Sequence, residues 1–284
     1  MPRGSDQSLI IGGTGLVGGY IVAHLRGRGE RPLVLSRADR TSPGIDYIRG
    51  DLRDPASLRL PEFATLYCTA DAVLLAQALP HLLNQRLRRV VAFSSTSVLT
   101  KLDSQIARER QRMQDLIDAE EQIAASCSRH GIGWTILRPT LIYAEGRDSN
   151  ITPLSRLISR FGFMPLVGSA GGLRQPVHAE DLALGAIAAA DSPASVDKTY
   201  ALAGLETITY REMIGRIFDG LGRPRRTVSL PPALWRLMFL LAKPLFPSAN
   251  VAWGLRMTKD MTFDAGPAVA DFGWSPRAFR PVFT

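Results

Sequence analysis

The stretch LIIGGTGLVGGYIVAHL, from Leu9 to Leu25, decides the fold of this chain. A short apolar run leads directly into a glycine-rich segment, which is followed by apolar residues at helical spacing. Gly12, Gly15 and Gly18 have the spacing of a phosphate-binding turn, because glycine permits a tight turn and lets the backbone approach a pyrophosphate. The stretch therefore predicts a strand, a turn and a helix that together hold a dinucleotide.

The start of the predicted helix supplies the binding groups. Its first N–H groups have no acceptor within the helix, and the positive end of the helix dipole attracts phosphate. An ordinary glycine-rich turn is the alternative, since glycine clusters also occur without a ligand. The contacts to the cofactor expected from this segment are Gly12, Thr14, Gly15, Leu16, Val17 and Gly18.

The end of the second predicted strand bears on the choice between NADP and NAD. A carboxylate at that place would bind the ribose 2′-OH, whereas an arginine can pair with a 2′-phosphate. The strand LVLS is followed by Arg37, with no carboxylate at its tip, so NADP is the predicted cofactor. Asp39, two residues further on, keeps NAD open as the alternative.

Apolar runs alternate with helical patterns through the first half of the chain. The runs that predict strands are SLII, RPLVLS, DYIRG, ATLYC, RVVAFSS and GWTILRP. Helical patterns lie between several of them, among them residues 55–61, 70–87 and 106–131. This alternation is typical of an α/β protein with a Rossmann-type, doubly wound parallel sheet that is covered by helices on both faces.

The character of the sequence changes after Pro139, where glycine, proline and serine become frequent. We expect residues 1–145 and 176–203 to form the Rossmann domain. Residues 146–175 and 204–284 would form a smaller C-terminal substrate lobe. The apolar stretch LPPALWRLMFLLAKPLF, residues 230–246, predicts a helix buried in that lobe. The alternatives are a wall of the substrate pocket or a helix resting on a membrane surface.

Composition limits the classes of protein that remain. The chain has 284 residues, of which 45% are hydrophobic, and no apolar run long enough to predict a membrane-spanning helix. The net charge is +8, but the arginines are scattered without interleaved aromatic residues, so we expect no nucleic-acid partner. Two isolated cysteines and four dispersed histidines indicate a reducing, cytoplasmic location and no metal site.

Five segments, in this order along the chain, resemble motifs of one superfamily. They are GDLRD (50–54), FSSTSV (93–98), LRP with IY (137–139 and 142–143), PVHAEDLA (176–183), and FD with GWSPR (263–264 and 273–277). With the glycine turn, they resemble the short-chain dehydrogenases/reductases. The resemblance is strongest to the extended or atypical branch, which includes NAD-dependent epimerases and dehydratases of nucleotide sugars.

The resemblance implies a role for each matching position. Further residues implied at the cofactor are Asp51, Leu52, Ser94, Ser95 and Pro139, with Asp51 facing the adenine. Residues implied as catalytic are Thr96, Ser97 and Tyr143, because they match the segments that line the reacting end of the site. His178 matches a segment that faces the site, where a structural hydrogen bond is favoured over a role as general base.

One element of the family pattern is missing from the long predicted helix. The superfamily carries Tyr-x-x-x-Lys there, and the lysine lowers the tyrosine pKa so that the phenol can exchange a proton. Aligning Glu120 or Glu121 with the acidic residue of the family pattern puts Arg112 or Met113 at the tyrosine position. Leu116 or Ile117 then stands at the lysine position.

Three interpretations follow from this departure. Another group, such as Thr96, Ser97 or Tyr143, serves in the reaction, or the proton comes from water or substrate. Either way the resemblance implies an NAD(P)-binding oxidoreductase or epimerase-like protein that acts on a small carbonyl compound or a nucleotide sugar. The third interpretation is a regulatory or assembly protein that binds NADP without turnover.

Overall fold

The computed structural model describes residues 7–100, 102, 104, 106–235, 254 and 257–283. Within these residues, the chain separates into two compact units. The first unit comprises Met1–Thr140, Ala179–Leu202 and Phe263–Pro276, and the second comprises Leu141–His178, Ala203–Thr262 and Arg277–Thr284. Each unit is described by itself below.

The first unit is built on a seven-stranded sheet in which every neighbouring pair is parallel. Its strands are β1 (Ser8–Ile11), β2 (Leu33–Ser36), β3 (Asp46–Arg49), β4 (Thr65–Cys68), β5 (Arg89–Phe93), β6 (Gly133–Pro139) and β11 (Lys198–Leu202). They lie in the order β11-β6-β5-β4-β1-β2-β3. The predicted Rossmann-type parallel sheet is confirmed.

The short apolar strands follow from their burial on both faces of the sheet. All four residues of β1 are buried, as are all four of β2 and all five of β5. A parallel strand covered on both faces needs a continuous apolar run rather than an alternating one. The glycine turn follows β1, the strand from which the chain order runs outward in both directions.

Helices cover this sheet, and α1 packs on α6 while α2 packs on α4. They are α1 (Leu16–Gly27), α2 (Ala72–Leu82), α3 (Ser97–Thr100), α4 (Ala107–Arg129), α6 (Ala179–Asp191) and α8 (Gly266–Phe272). The apolar core beneath α2 and α4 includes Leu75, Leu79, Met113, Leu116 and Ile123.

Two predicted helices are shorter than the sequence pattern indicated. The segment 55–61 forms only a 3₁₀ turn at Pro55–Ser57, because Pro61 cannot continue a helix and disfavours helical backbone in the residue before it. The helix predicted over 70–87 ends at Leu82. The Asn84 side chain accepts hydrogen bonds from the N–H groups of Arg86 and Leu87, which fixes a turn in place of further helix.

The second unit contains short strand pairs and two helices among its described residues. Its elements are β7 (Leu141–Tyr143), α5 (Thr152–Phe161), β8 (Met164–Val167), β9 (Leu173–Arg174), β10 (Pro176–His178), β12 (Ile208–Thr209), α7 (Tyr210–Gly220) and β13 (Thr227–Leu230). β7 pairs with β10, β9 with β12 and β8 with β13. Most of the helix predicted over 230–246 lies outside the described residues.

The core of the second unit is a separate apolar cluster that joins α5 and α7. It includes Ile158, Leu166, Ile214, Ile217 and Phe218, none of which has more than traces of exposed surface. No helix in the described part of the chain is both long and apolar enough to cross a membrane.

Candidate cofactor-binding site

The glycine turn joins β1 to α1 through a tight turn in which one glycine has a positive φ angle. Gly12 has φ +83°, a conformation that side chains with a Cβ rarely adopt. The Gly15 N–H donates to the Gly12 carbonyl at 2.8 Å, which closes the turn directly before the first residue of α1. The predicted strand, turn and helix are therefore present in this order.

Close contacts explain the glycines of this turn. A Cβ on Gly18 would stand 2.2 Å from the Gly12 carbonyl oxygen, and one on Gly12 would stand 2.5 Å from the Thr69 Oγ1. The Thr69 hydroxyl lies 3.2 Å from that same Gly12 oxygen and 3.3 Å from the Ile11 oxygen. Thr69 follows β4, and the sequence carried no signal for its part in the turn.

The amino end of α1 offers unpaired donors. Gly15 is the N-cap residue and has no side chain to accept from the first turn, which also contains no acidic residue. By helix geometry the first N–H groups, including those of Leu16, Val17 and Gly18, have no intrahelical acceptor. Gly15 is exposed, so an anion can reach this end of the helix, where the dipole attracts it.

A cavity of about 260 Å³ lies beside this turn, at the carboxyl ends of β1, β2 and β3. Five of its lining residues belong to the predicted cofactor set: Gly12, Thr14, Arg37, Asp51 and Leu52. The lining residues that sequence analysis did not name are Ile11, Leu35, Ser36, Gly50, Arg53, Ala70 and Leu74. The remaining predicted contacts (Gly15, Leu16, Val17, Gly18, Ser94, Ser95 and Pro139) are outside its lining.

The lining of this cavity contains more basic than acidic side chains. Arg37 and Arg53 line it, and among the described residues neither guanidinium forms an ion pair. Asp39, the candidate for binding a ribose hydroxyl, instead pairs with Arg49 at the tip of β3, with Nη1 and Oδ2 3.1 Å apart. The cavity lining therefore carries two arginines that form no ion pair within the described part of the chain, and one carboxylate, Asp51, while the Asp39 carboxylate lies in an exposed pair with Arg49.

The hydroxyl residues that follow β5 have different surroundings. The Thr96 side chain is buried and its hydroxyl donates to the Pro139 carbonyl at 3.0 Å. Ser95 Oγ accepts from the Ser97 N–H, and Ser97 begins α3. Ser94 Oγ is buried without a hydrogen-bond partner among the described residues. The catalytic and cofactor roles implied for these residues stay predictions.

The long helix α4 shows what fills the positions of the missing Tyr–Lys pair. Glu120 is buried and accepts from Arg138 Nε at 3.0 Å and 3.1 Å, with a further contact from Arg138 Nη2. Glu121 is exposed. The alignment through Glu120 puts Arg112 at the tyrosine position and Leu116 at the lysine position, and the alignment through Glu121 puts Met113 and Ile117 there; Leu116 and Met113 are core residues and Ile117 packs against the core.

Tyr143 lies in the second unit, where it ends β7. It is 2% exposed, and its ring makes edge contacts with the His178 and Phe279 rings at 5.1 Å and 4.9 Å. His178 Nε2 is 3.4 Å from Glu145 Oε2. Burial alone would raise the pKa of Glu145, but hydrogen bonds from His178 and the backbone outweigh it and hold the pKa below its usual range.

A larger cavity of about 420 Å³ in the second unit is lined by charged residues. Each of its three arginines already faces a carboxylate: Arg216 pairs with Glu206 and Glu212, Arg225 with Glu212 and Asp219, and Arg280 with Glu206. The opposed charges compensate one another, so this cavity lacks the unpaired positive charge of the glycine-turn cavity.

The sheet and the glycine turn define a Rossmann-type α/β fold. No family model matches the chain. It is 26% identical over 272 residues to NADH dehydrogenase [ubiquinone] 1 alpha subcomplex subunit 9, mitochondrial, of Arabidopsis thaliana, covering 84% of this chain. It is 24% identical over 159 residues to UDP-glucose 4-epimerase of Vibrio cholerae, covering 56% of this chain.

These two matches span 65% and 47% of the lengths of the relatives. Among solved structures, Thermus thermophilus UDP-glucose 4-epimerase in complex with NAD superposes with a TM-score of 0.70 at 18% identity. That superposition covers 96% of this chain and 95% of the other. The comparisons confirm the resemblance to the epimerase/dehydratase-like branch that the sequence motifs indicated.

Proposed function

We propose that the chain binds a nicotinamide dinucleotide across the amino end of α1. The observation that carries the proposal is the glycine turn. It leads into a helix whose accessible first turn contains no acidic residue, and it adjoins a cavity of about 260 Å³. The pyrophosphate would meet the N–H groups of Leu16, Val17 and Gly18, and the adenosine would enter the cavity between Leu35 and Ala70. When bound, such a group supplies or accepts a hydride.

The residues of the turn fit this ligand for steric reasons. Gly12 and Gly18 leave no space for a Cβ, so the strand, the turn and the helix approach one another closely. The same absence of side chains leaves the backbone bare where a phosphate would sit. The adjoining cavity supports a bound ligand over the alternative of an ordinary glycine-rich turn.

NADP is the form of the cofactor that we propose. Arg37 and Arg53 line the cavity without ion pairs among the described residues, so a 2′-phosphate there would gain charge-assisted hydrogen bonds. The carboxylate that would favour the 2′-OH of NAD, on Asp39, forms an exposed ion pair with Arg49. The nicotinamide cofactor is supported independently of this choice, since the solved relative binds NAD.

Titration calorimetry with NADPH, NADP, NADH and NAD tests both levels of the proposal. We expect NADPH to bind more tightly than NADH, and Arg37→Ala to weaken NADPH binding at least about ten-fold while NADH binding changes little. Arg88→Ala, at an exposed arginine elsewhere in the first unit, is the control and should change neither. Equal affinity for NADH and NADPH would overturn the NADP assignment, and no binding of any of the four would overturn the proposal as a whole.

The activity that we propose is epimerase-like or oxidoreductase chemistry on a small carbonyl compound or nucleotide sugar. The names of the Vibrio cholerae and Thermus thermophilus relatives support it. Neither alignment puts a tyrosine or a lysine at the Tyr–Lys positions, and the Thr96 hydroxyl already donates to the Pro139 carbonyl. The proton would therefore come from Ser97, Tyr143, water or the substrate. Loss of NADPH absorbance across a panel of carbonyl compounds, and epimer analysis of nucleotide sugars, test this activity.

The second candidate is a protein that binds NADP and assembles with a partner without turnover. Two observations favour it: the hydrophobic side chain of Leu116 at the lysine position, and the Arabidopsis thaliana relative that is named as a subunit of NADH dehydrogenase. Tight NADPH binding without turnover on the whole panel, together with co-purification of a stoichiometric partner, would favour this candidate over the enzyme.

The cytoplasm is the compartment that we propose. Both cysteines are buried and unpaired, and burial raises the pKa of the Cys68 and Cys127 thiols to about 12. Thiols in this state suit a reducing compartment. Immunoblotting of fractionated source cells tests the assignment, and recovery in an organelle fraction would contradict it.

A further inference from the structure

The acidic residues of this chain are unevenly distributed. Residues 149–179 and 220–259 contain no aspartate or glutamate. The same two stretches hold these lysines and arginines: Arg156, Arg160, Arg174, Arg223, Arg225, Arg226, Arg236, Lys243, Arg256 and Lys259. The remainder of the chain has more acidic than basic residues, so the whole net charge of +8 originates in these two stretches.

The two stretches meet in the second unit through the β8–β13 pair. The strands are parallel, with Met164 opposite Thr227 and Pro165 opposite Val228, and the Met164 N–H donates to the Arg226 carbonyl at 2.9 Å. Residues two apart on a strand share a face. Phe163 and Pro165 therefore lie on the same face as Arg226 and Val228, while Met164 and Leu166 turn to the core.

Helix α5 adds a second aromatic residue beside this face. Phe161 is the last residue of α5, and Gly162 ends the helix in the left-handed conformation, φ 74°, so that Phe163 follows directly. Phe161 and Phe163 are 51% and 43% exposed, and Val228 is 48% exposed. Exposed apolar side chains that form one patch mark interaction sites, whereas singly scattered ones do not.

Arginines surround the two phenylalanines. The Arg160 guanidinium lies 5.4 Å from the centre of the Phe161 ring. Arg156 lies one helical turn before Arg160 in α5. Arg223 Nη1 donates to the Ile158 carbonyl near the end of α5. Among the described residues, no member of this set forms an ion pair with a carboxylate: Arg156, Arg160, Arg223 and Arg226.

We propose that this surface docks on an anionic membrane. It consists of Arg156, Arg160, Phe161, Phe163, Arg223, Arg226 and Val228, and is called the aromatic–arginine surface below. Aromatic rings enter the interfacial region of a bilayer, and unpaired arginines next to them attract anionic headgroups. The complete absence of acidic residues from both stretches favours a lipid surface over a protein partner of mixed charge.

Vesicle flotation with the full chain tests the proposal. We expect binding to vesicles of equimolar phosphatidylglycerol and phosphatidylcholine at about 0.1 M salt, weaker binding at about 0.5 M salt, and none to phosphatidylcholine alone. Arg160→Gln with Arg226→Gln should lower the affinity about five-fold for each arginine removed. Phe161→Ser with Phe163→Ser should lower it on the order of ten-fold, because less apolar surface enters the interface.

Matched controls separate docking from general attraction by net charge. Arg88→Gln with Arg129→Gln removes the same charge from exposed positions of the first unit, and Leu205→Ser with Val269→Ser removes apolar residues that are 61% and 53% exposed. Both controls should bind vesicles like the parent chain. If the test and control variants weakened vesicle binding equally, the proposal would be overturned. It would also be overturned if the parent chain failed to bind anionic vesicles, which is the result expected if the surface contacts a protein instead.

Discussion

Arg112 of α4 donates to Asp71, the residue that precedes α2, with Nη2 and Oδ2 2.6 Å apart. Asp71 also caps α2, since its Oδ1 accepts from the Val73 N–H at 2.9 Å. Arg112, one of the two residues that the alignments put at the tyrosine position of the superfamily, thus joins two helices.

This pair predicts a graded loss of stability. The two side chains are 41% and 35% exposed, so Arg112→Gln should lower the free energy of unfolding by less than about 1 kcal/mol and leave NADPH binding unchanged. Asp71→Ala should cost about 1 kcal/mol more, because the helix cap is lost as well. Urea denaturation measures both, and a fall in NADPH affinity for Arg112→Gln would contradict the purely structural role.

The glycine turn predicts opposite outcomes for two neighbouring glycines. Gly18→Ala would press its Cβ against the Gly12 carbonyl oxygen, so we expect a loss of about 3 kcal/mol in stability together with loss of nucleotide binding. Gly19→Ala meets nothing closer than 3.8 Å and should stabilise α1 by up to about 1 kcal/mol. Thermal unfolding and calorimetry compare the two, and similar behaviour of both variants would count against the turn geometry.

We expect the stability of the first unit to depend strongly on both members of the Glu120–Arg138 pair. Glu120 is 7% exposed at its side chain, so Glu120→Ala leaves the Arg138 charge poorly compensated and should cost about 3 kcal/mol. Replacing both residues by leucine should cost clearly less than either single change to alanine, because no unpaired charge is then buried. Denaturant unfolding of the single and double variants measures these costs. If the double variant lost as much free energy of unfolding as the two single variants together, the two residues would act independently.

Asp148 predicts acid sensitivity of the second unit. Burial alone would raise its pKa, but hydrogen bonds from the Thr152 hydroxyl and from backbone N–H groups outweigh this and lower the pKa below the usual 3.8. The unfolded chain therefore takes up this proton first as the pH falls. The stabilisation is complete above about pH 4 and is lost as the pH falls further towards the folded-state pKa.

Asp148→Asn removes that titration, so the variant should be less stable than the parent chain at neutral pH and should approach it in acid. Urea unfolding followed across this range measures the difference. A constant difference between the two proteins at every pH would show that the Asp148 carboxylate does not contribute through its charge.

The sequence determined the fold of the first unit to a large extent. Continuous apolar runs indicate burial on both faces of the sheet, and Gly12, Gly15 and Gly18 indicate close backbone contacts. Sequence patterns show both features because both depend on residues that are close together along the chain. Helix ends were predicted less well: Leu82 ends α2 because Asn84 binds the following backbone, a local competition that apolar periodicity does not show.

Partners from distant parts of the chain were decided only by the tertiary structure. Sequence left Glu120 and Glu121 equivalent, and packing of α4 on β6 selected Glu120 for Arg138. The sequence left the partner of Asp39 open, and the adjacency of β2 and β3 places its Oδ2 3.1 Å from Arg49 Nη1. Arginines that looked scattered along the chain gather at the β8–β13 pair, since a pairing register joins segments some sixty residues apart. Charge and hydrogen-bond partners depend on distances of a few ångströms, which the order of residues alone does not fix.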